Sequence, residues 1–195
     1  MIYFVGAGSG APDLITVRGV RLLSEADVIV YAGSLVNPAL LDYKKDGCEV
    51  YNSAKMTLEE VIAVMAPAAK AGKTVVRLHT GDPCVYGAHR EQMDELDRLG
   101  LAYEVCPGVS SFCGAAAALK AEYTLPNVSQ SVILTRMEGR TPVPEREQIE
   151  SLAAHGATMV IFLSAGQLEK LSARLTEPPW SSSCRQVSCR ACPSG

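Results

Sequence analysis

Short apolar runs bounded by turn residues recur along the chain, and segments of helical period lie between them. The runs Ile2–Val5, Val28–Tyr31, Thr74–His79, Tyr103–Cys106, Ser131–Thr135 and Thr158–Leu163 read as strands. Helices are predicted at Thr16–Glu25, from Thr57 to about Lys70, at Gly87–Leu99, Ser110–Lys120, Glu145–His155 and Gln167–Leu175. Thr57 and Glu60 have capping-box spacing at a helix start, and Gly72, Gly100 and Gly156 stand just past helix ends. Regular alternation of this kind predicts an α/β fold, with a mostly parallel sheet and helices on both faces. A second block begins near Gly108–Phe112, which predicts a first domain at 1–112 and a partial second domain at 113–177. From Pro178 onward the pattern stops, so 178–195 reads as a loop-like tail.

Composition narrows the function classes. The chain has 195 residues and is 48% apolar, enough for a sizeable core in one large or two small domains. Its net charge of −3 argues against nucleic-acid or anionic-membrane binding through bulk charge. No apolar run approaches the roughly 20 residues of a membrane helix. A cytoplasmic protein with reduced thiols is expected. His79, His89 and His155 are far apart in sequence and read as structural residues. Cys184, Cys189 and Cys192 echo part of an iron–sulfur spacing but lack a fourth ligand in register, so no metal is expected.

The candidate chemistry lies in loops. Gly6, Gly8 and Ala11 spell G-x-G-x-x-A after the first strand, as a dinucleotide fingerprint would. That fingerprint also needs a helix opening from the glycines and an acidic residue closing the second strand. Here Pro12 and Asp13 intervene, and the second strand ends in Ala32-Gly33. Two further Gly/Pro-rich loops follow strands, Thr80–Gly87 and Pro107–Ser111. Ligands of open parallel sheets bind beyond the carboxyl ends of strands, so the three loops together predict a small-molecule cleft. Taken singly they have plainer readings. Asp82 caps a turn beside Pro83, and Ser110 or Ser111 N-caps the Ala-rich helix.

The stretches VGAGSGAPDLITVRGVRLLSEADVIVYAGSLV, VVRLHTGDPCVYG, VCPGVSSFCGAAAAL and LPNVSQSVILTR, in this order, resemble the tetrapyrrole (corrin/porphyrin) methylase family over about residues 1–175. The segments YAGSLV and TRMEGRTPVPE resemble the branch that methylates C11 of precorrin-4 or cobalt-precorrin-4. The resemblance implies a two-domain α/β enzyme, usually a homodimer, using S-adenosylmethionine to build the corrin ring. It implies cofactor contacts at Thr80, Gly81, Asp82 and Val85, at Ser110 and Ser111, at Ser9, and at Leu163 on a second-domain strand. For Leu163 a plain core position is the alternative. Ala32 stands where relatives acting on uroporphyrinogen-III carry an Asp, which fits the C11 branch. A substrate rich in carboxylates calls for cations, and Lys55, Arg90, Arg136 and Arg140 lie at or near strand-end loops. The family's last segment is expected to be missing, replaced by the tail. That leaves open a catalytically inactive remnant that binds cofactor or a partner. Another methylase branch and a nicotinamide oxidoreductase are the remaining rivals.

Overall fold

A computed structural model describes residues 1–139 and 141–176. Two compact units divide the chain, one spanning Met1–Gly114 and the other beginning at Ala115. Arg140 and everything from 177 onward, including the three tail cysteines, lie outside the described residues.

Unit 1 is built on five parallel strands in the order β3-β2-β4-β1-β5. These are β1 (Ile2–Gly6), β2 (Val28–Tyr31), β3 (Glu49–Asn52), β4 (Val75–His79) and β5 (Tyr103–Cys106). The three central strands are buried almost throughout, as expected for a sheet covered on both faces. Side chains alternate between the faces. Val5, Ile29, Val76 and Leu78 meet Leu22 and Leu23 of α1 (Val17–Glu25). Ile2, Phe4, Val28, Val30 and Val75 meet Val61 and Met65 of α2 (Leu58–Lys70) and Leu96 of α3 (Arg90–Arg98). Both faces are therefore closed by apolar packing, the main stabilising term in such a sheet.

The local signals are satisfied atom by atom. The Thr57 hydroxyl accepts from Glu60 N–H at 3.3 Å, and the Glu60 carboxylate accepts from Thr57 N–H at 2.8 Å. Gly72, Gly100 and Gly156 all have positive φ, the conformation that ends a helix at low cost in glycine. Thr16 N-caps α1 through Gly19 N–H instead of lying inside it. Two expectations need correction. Strand β3 escaped prediction, because EVYN is an edge strand with its first and last residues exposed. The helix expected from Gly87 starts only at Arg90, because Tyr86 and Ala88 turn the chain with φ of 55° and 48°.

Unit 2 contains β6 (Val132–Arg136) paired in parallel with β7 (Thr158–Phe162). Its helices are α5 (Ile149–Ala153) and α6 (Leu168–Thr176), with α4 (Ser111–Leu119) spanning the division between units. The helix predicted at Glu145–His155 is split into a 3₁₀ turn at Glu145–Glu147 and the short α5. Met137, Ile149 and Leu175 form its buried cluster. Arg174 of α6 binds both carboxylate oxygens of Glu138 at 2.7 and 3.0 Å, and also pairs with Glu150 and Gln148. These bonds hold the Glu138 carboxyl down at about 2 and push the guanidinium up. No described helix is long and apolar enough to cross a membrane.

Candidate functional site

Strand order creates the site in unit 1. From β1 the chain travels through α1 to β2 on one side, and from β4 it travels through α3 to β5 on the other. Adjacent strands whose connections diverge leave a crevice at their carboxyl ends. Here the loops that leave β1, β4 and β5 interlock at that point.

The interlock is made of backbone. Gly81 N–H donates to Gly8 O at 3.0 Å, Gly8 N–H donates back to Gly81 O at 3.2 Å, and Ala7 N–H reaches His79 O at 2.7 Å. A Cβ on Gly6 would stand 2.6 Å from both Gly108 Cα and Gly81 O. A Cβ on Gly108 would stand 2.3 Å from Gly81 O. No side chain fits between three main chains at these distances. Asp82 completes the joint: its Oδ1 accepts from Cys84 N–H at 2.8 Å, closing its own turn, and its Oδ2 accepts from Gly108 N–H at 2.9 Å. The plain reading of Asp82 as a turn cap is thus realised, with a tie to a second loop that the sequence did not reveal.

Of the sequence-predicted site residues, Ser9, Gly81, Asp82, Ser110 and Ser111 come together. Ser9 packs on α4 where Gly114 leaves room, since a Cβ there would lie 2.6 Å from Ser9 Oγ. That hydroxyl is buried without a hydrogen-bond partner. Gly81 has φ of 58° and lies against the backbone of Ser110 and Ser111. Thr80 and Val85 belong to the same loop, and Val85 N–H is held by Asp82 O at 3.2 Å.

The remaining candidates lie elsewhere. Leu163 falls one residue past β7 in unit 2, with φ of 55° and 74% exposure, so the alternative of a core leucine is overturned. Lys55 is an exposed turn residue after β3. Arg90 opens α3 and pairs with Asp94. Arg136 spends its guanidinium on its own loop, donating to Met137 O, Thr141 O, Thr141 Oγ1 and Pro142 O. A cavity of about 270 Å³ adjoins it, with Leu163 and Gln167 in its wall.

Sequence reasoning did not find what lies beneath the Thr80–His89 loop. His79 is 4% exposed, and burial, with Arg77 and His89 nearby, lowers its pKa to about 3. Its ring lies 5.8 Å from that of His89, and both pack on Phe4. Ten residues separate the two histidines, and only the return of the loop brings them together.

Known proteins resemble this chain in sequence and in fold. The family model for Tetrapyrrole (Corrin/Porphyrin) Methylases matches residues 1–188. The cobalt-precorrin-4 C(11)-methyltransferase of Methanocaldococcus jannaschii is 56% identical over 176 residues, covering 90% of this chain and 68% of that protein. A solved structure of a cobalt precorrin-4 methyltransferase superposes with a TM-score of 0.86 at 51% identity, covering 89% of this chain and 72% of the other. A uroporphyrin-III C-methyltransferase from Thermus thermophilus, complexed with S-adenyl homocysteine, gives a TM-score of 0.69 at 28% identity, covering 91% and 73%. With its loops, its strand order and these likenesses taken together, the chain belongs to the tetrapyrrole (corrin/porphyrin) methylases.

Proposed function

We propose that this chain methylates C11 of precorrin-4 or cobalt-precorrin-4 with S-adenosylmethionine, a step in building the corrin ring. The observation that carries the reading is the interlock of the three loops at Gly6, Gly81 and Gly108 in a chain of this family.

An adenosyl ligand suits these residues better than a dinucleotide does. In a dinucleotide fold the pyrophosphate sits on a helix that opens at the glycines. Here a 3₁₀ turn at Pro12–Leu14 intervenes, and α1 begins at Val17 with its first turn capped by Thr16. What the loops offer instead is close-packed main chain and the buried, unpartnered Ser9 hydroxyl. When bound, the cofactor supplies an electrophilic methyl on a sulfonium sulfur.

The chain's own task is orientation. Gly81, Asp82 and Val85, with Thr80, present one wall of the cofactor site, and Ser9, Ser110 and Ser111 present another. The carboxylate of Asp82 fixes the spacing of these walls through Cys84 and Gly108. Leu163, exposed on unit 2, is the proposed apolar contact from the second unit. Alignment of the acceptor carbon with the methyl is worth roughly 7–11 kcal/mol. The ring carbon is electron-rich, so the step needs no protein nucleophile. Lys55 and Arg140 are the proposed partners of substrate carboxylates, while Arg90 and Arg136 would have to exchange the partners described above. A cytoplasmic homodimer belongs to the same proposal, and the free thiols of Cys48, Cys84, Cys106 and Cys113 suit a reducing compartment.

Calorimetric titration with S-adenosylhomocysteine, with NADH as control, tests the cofactor half. Saturable binding of the former alone is expected. Incubation with S-adenosylmethionine and precorrin-4, with and without cobalt, then tests the reaction by a mass gain of one methylene in the product. Binding of NADH alone, or no transfer by protein that binds the homocysteine, overturns the reading.

A further inference from the structure

Arg77, in the middle of β4, is 6% exposed and lies on the sheet face that α3 covers. Its Nε donates to Gln92 Oε1 at 3.0 Å, and its Nη1 donates to Val30 O at 3.1 Å. Both acceptors are neutral. Helix α3 itself carries Glu91, Asp94, Glu95 and Asp97, yet the position that meets the guanidinium is Gln92. Three of those acids pair elsewhere: Asp94 with Arg90, Glu95 with Arg98, and Asp97 with the Tyr103 hydroxyl at 3.2 Å. A buried cation facing neutral groups destabilises a fold relative to one that is paired. A glutamate at position 92 would supply the missing charge.

The other end of the amide shows what glutamine does there. Gln92 Nε2 donates to Ala88 O at 3.3 Å. The partners fix the amide's orientation. Arginine can only donate and a carbonyl can only accept, so Oε1 faces the guanidinium and Nε2 faces Ala88. Turning the amide over would set donor against donor and acceptor against acceptor. A cation on Oε1 also polarises the amide and strengthens its N–H as a donor. A carboxylate at this position would have no hydrogen for Ala88 O.

Ala88 is a residue on which such a donor acts strongly. A backbone bond at the start of α3 runs from Met93 N–H to His89 O at 3.0 Å, so Ala88 lies just before the helix. Tyr86 and Ala88 have φ of 55° and 48°, a region that L-residues adopt only when their surroundings impose it. Between them Gly87 lies so close to Pro83 that a Cβ would stand 2.0 Å from the Pro83 carbonyl oxygen. A shift of Ala88 is therefore passed to Pro83 and to Asp82 beside it. Asp82 accepts from Cys84 N–H and from Gly108 N–H. We propose that Gln92 is a positioning residue, a strut through which the buried Arg77 fixes Ala88 and so sets Gly81, Asp82 and Val85 for the cofactor. As far as it concerns the cofactor, this inference rests on the function proposed above.

The test uses the full chain and two substitutions at one position. Gln92→Glu keeps an acceptor for Arg77 and adds a counter-charge, but removes the donor to Ala88; the adjacent guanidinium keeps the new carboxyl ionised. Gln92→Leu removes both. Three quantities are read: the denaturation midpoint, amide hydrogen exchange at Cys84 and Val85, and the dissociation constant for S-adenosylhomocysteine. For Gln92→Glu the midpoint should stay at or above the native value. Loop exchange and the dissociation constant should each rise by up to about tenfold, as loss of one hydrogen bond predicts. Gln92→Leu should lower the midpoint and loosen the loop together. A residue with a structural role alone would move midpoint and loop exchange in step, so a stable glutamate variant with a looser loop is the distinguishing result. Native-like loop exchange in Gln92→Glu overturns the strut, as does a lowered midpoint with exchange raised equally at β1 and β2 amides. A looser loop with native affinity overturns its link to the cofactor. Should Gln92→Leu fail to fold, Gln92→Glu decides alone. If the native chain binds no S-adenosylhomocysteine, the proposed function fails, and loop exchange in Gln92→Glu still decides the strut.

Discussion

Arg77 in unit 1 and Arg174 in unit 2 face opposite surroundings. Arg77 is 6% exposed and meets neutral acceptors, Gln92 Oε1 at 3.0 Å and Val30 O at 3.1 Å. Burial lowers its pKa to about 10. Arg174 keeps its side chain 19% exposed and binds the carboxylates of Glu138 and Glu150. Burying a cation without a counter-charge is costly, and only an otherwise well-packed region tolerates it. Unit 1 has apolar layers on both faces of its sheet. The described part of unit 2 buries a cluster of three residues and relies on charged ties from α6 to Glu138, in the loop after β6, and to Glu150 of α5. The lesson is that the proposed cofactor loops stand on a unit stabilised by packing, while unit 2 leans on electrostatics.

The most damaging way to test this contrast is Phe4→Ala, which opens the core of unit 1 beneath both histidines. It should cost about 3–5 kcal/mol, read from chemical denaturation. Next is Gly108→Ala, whose methyl would strike Gly81 O and the Gly6 backbone. A loss of about 1–3 kcal/mol is expected, together with loss of homocysteine binding; native-like affinity would show that the interlock does not shape the site.

Acid should separate the two units. His79 has a folded pKa of about 3, below its ordinary 6.5, so the unfolded chain takes up its proton first. Its contribution is complete above pH 6.5 and is lost as pH falls toward 3. Glu138, at about 2 against an ordinary 4.5, contributes fully above pH 4.5 and loses that contribution toward pH 2. Exchange at β4 amides should therefore rise at a higher pH than exchange at β6 amides, and simultaneous loss would contradict the contrast.

Arg174→Ala should weaken unit 2 by roughly 1 kcal/mol, a modest value because its carboxylate partners are about a third exposed. High salt should shrink the difference between variant and native protein. Smallest of all is Gly166→Ala, where an added Cβ meets nothing within 4 Å and φ is not positive. A change within about 0.5 kcal/mol is expected in denaturant midpoint analysis.

Much of the fold was legible because its signals are local. Six of the seven strands are apolar runs bounded by turn residues, and the box at Thr57 and Glu60 depends on residues three apart. β3 was not legible, since its pairing with β2 supplies what its polar sequence lacks. The site was legible only in pieces. Glycines marked the three loops, but their interlock depends on β1 lying between β4 and β5, which no local pattern encodes. The same reason hid the second bond of Asp82, to Gly108, and the meeting of His79 with His89. Leu163 was placed on a strand by its apolar neighbours, yet the chain turns there at positive φ and exposes it.

The central place of β1 also bears on the order of folding. Ile2 pairs with Val75 and with Tyr103, so β1 has no neighbour until much later parts of the chain exist. During synthesis β1 and its glycine loop must wait, apolar and unpaired, while β2 and β3 already have each other. Contacts this distant in sequence slow folding, and an unsatisfied strand is a point at which chains associate wrongly. The joint that brings the three loops together is therefore among the last features of unit 1 to form, and a chaperone that shields the nascent first strand would be expected to raise the yield of active protein.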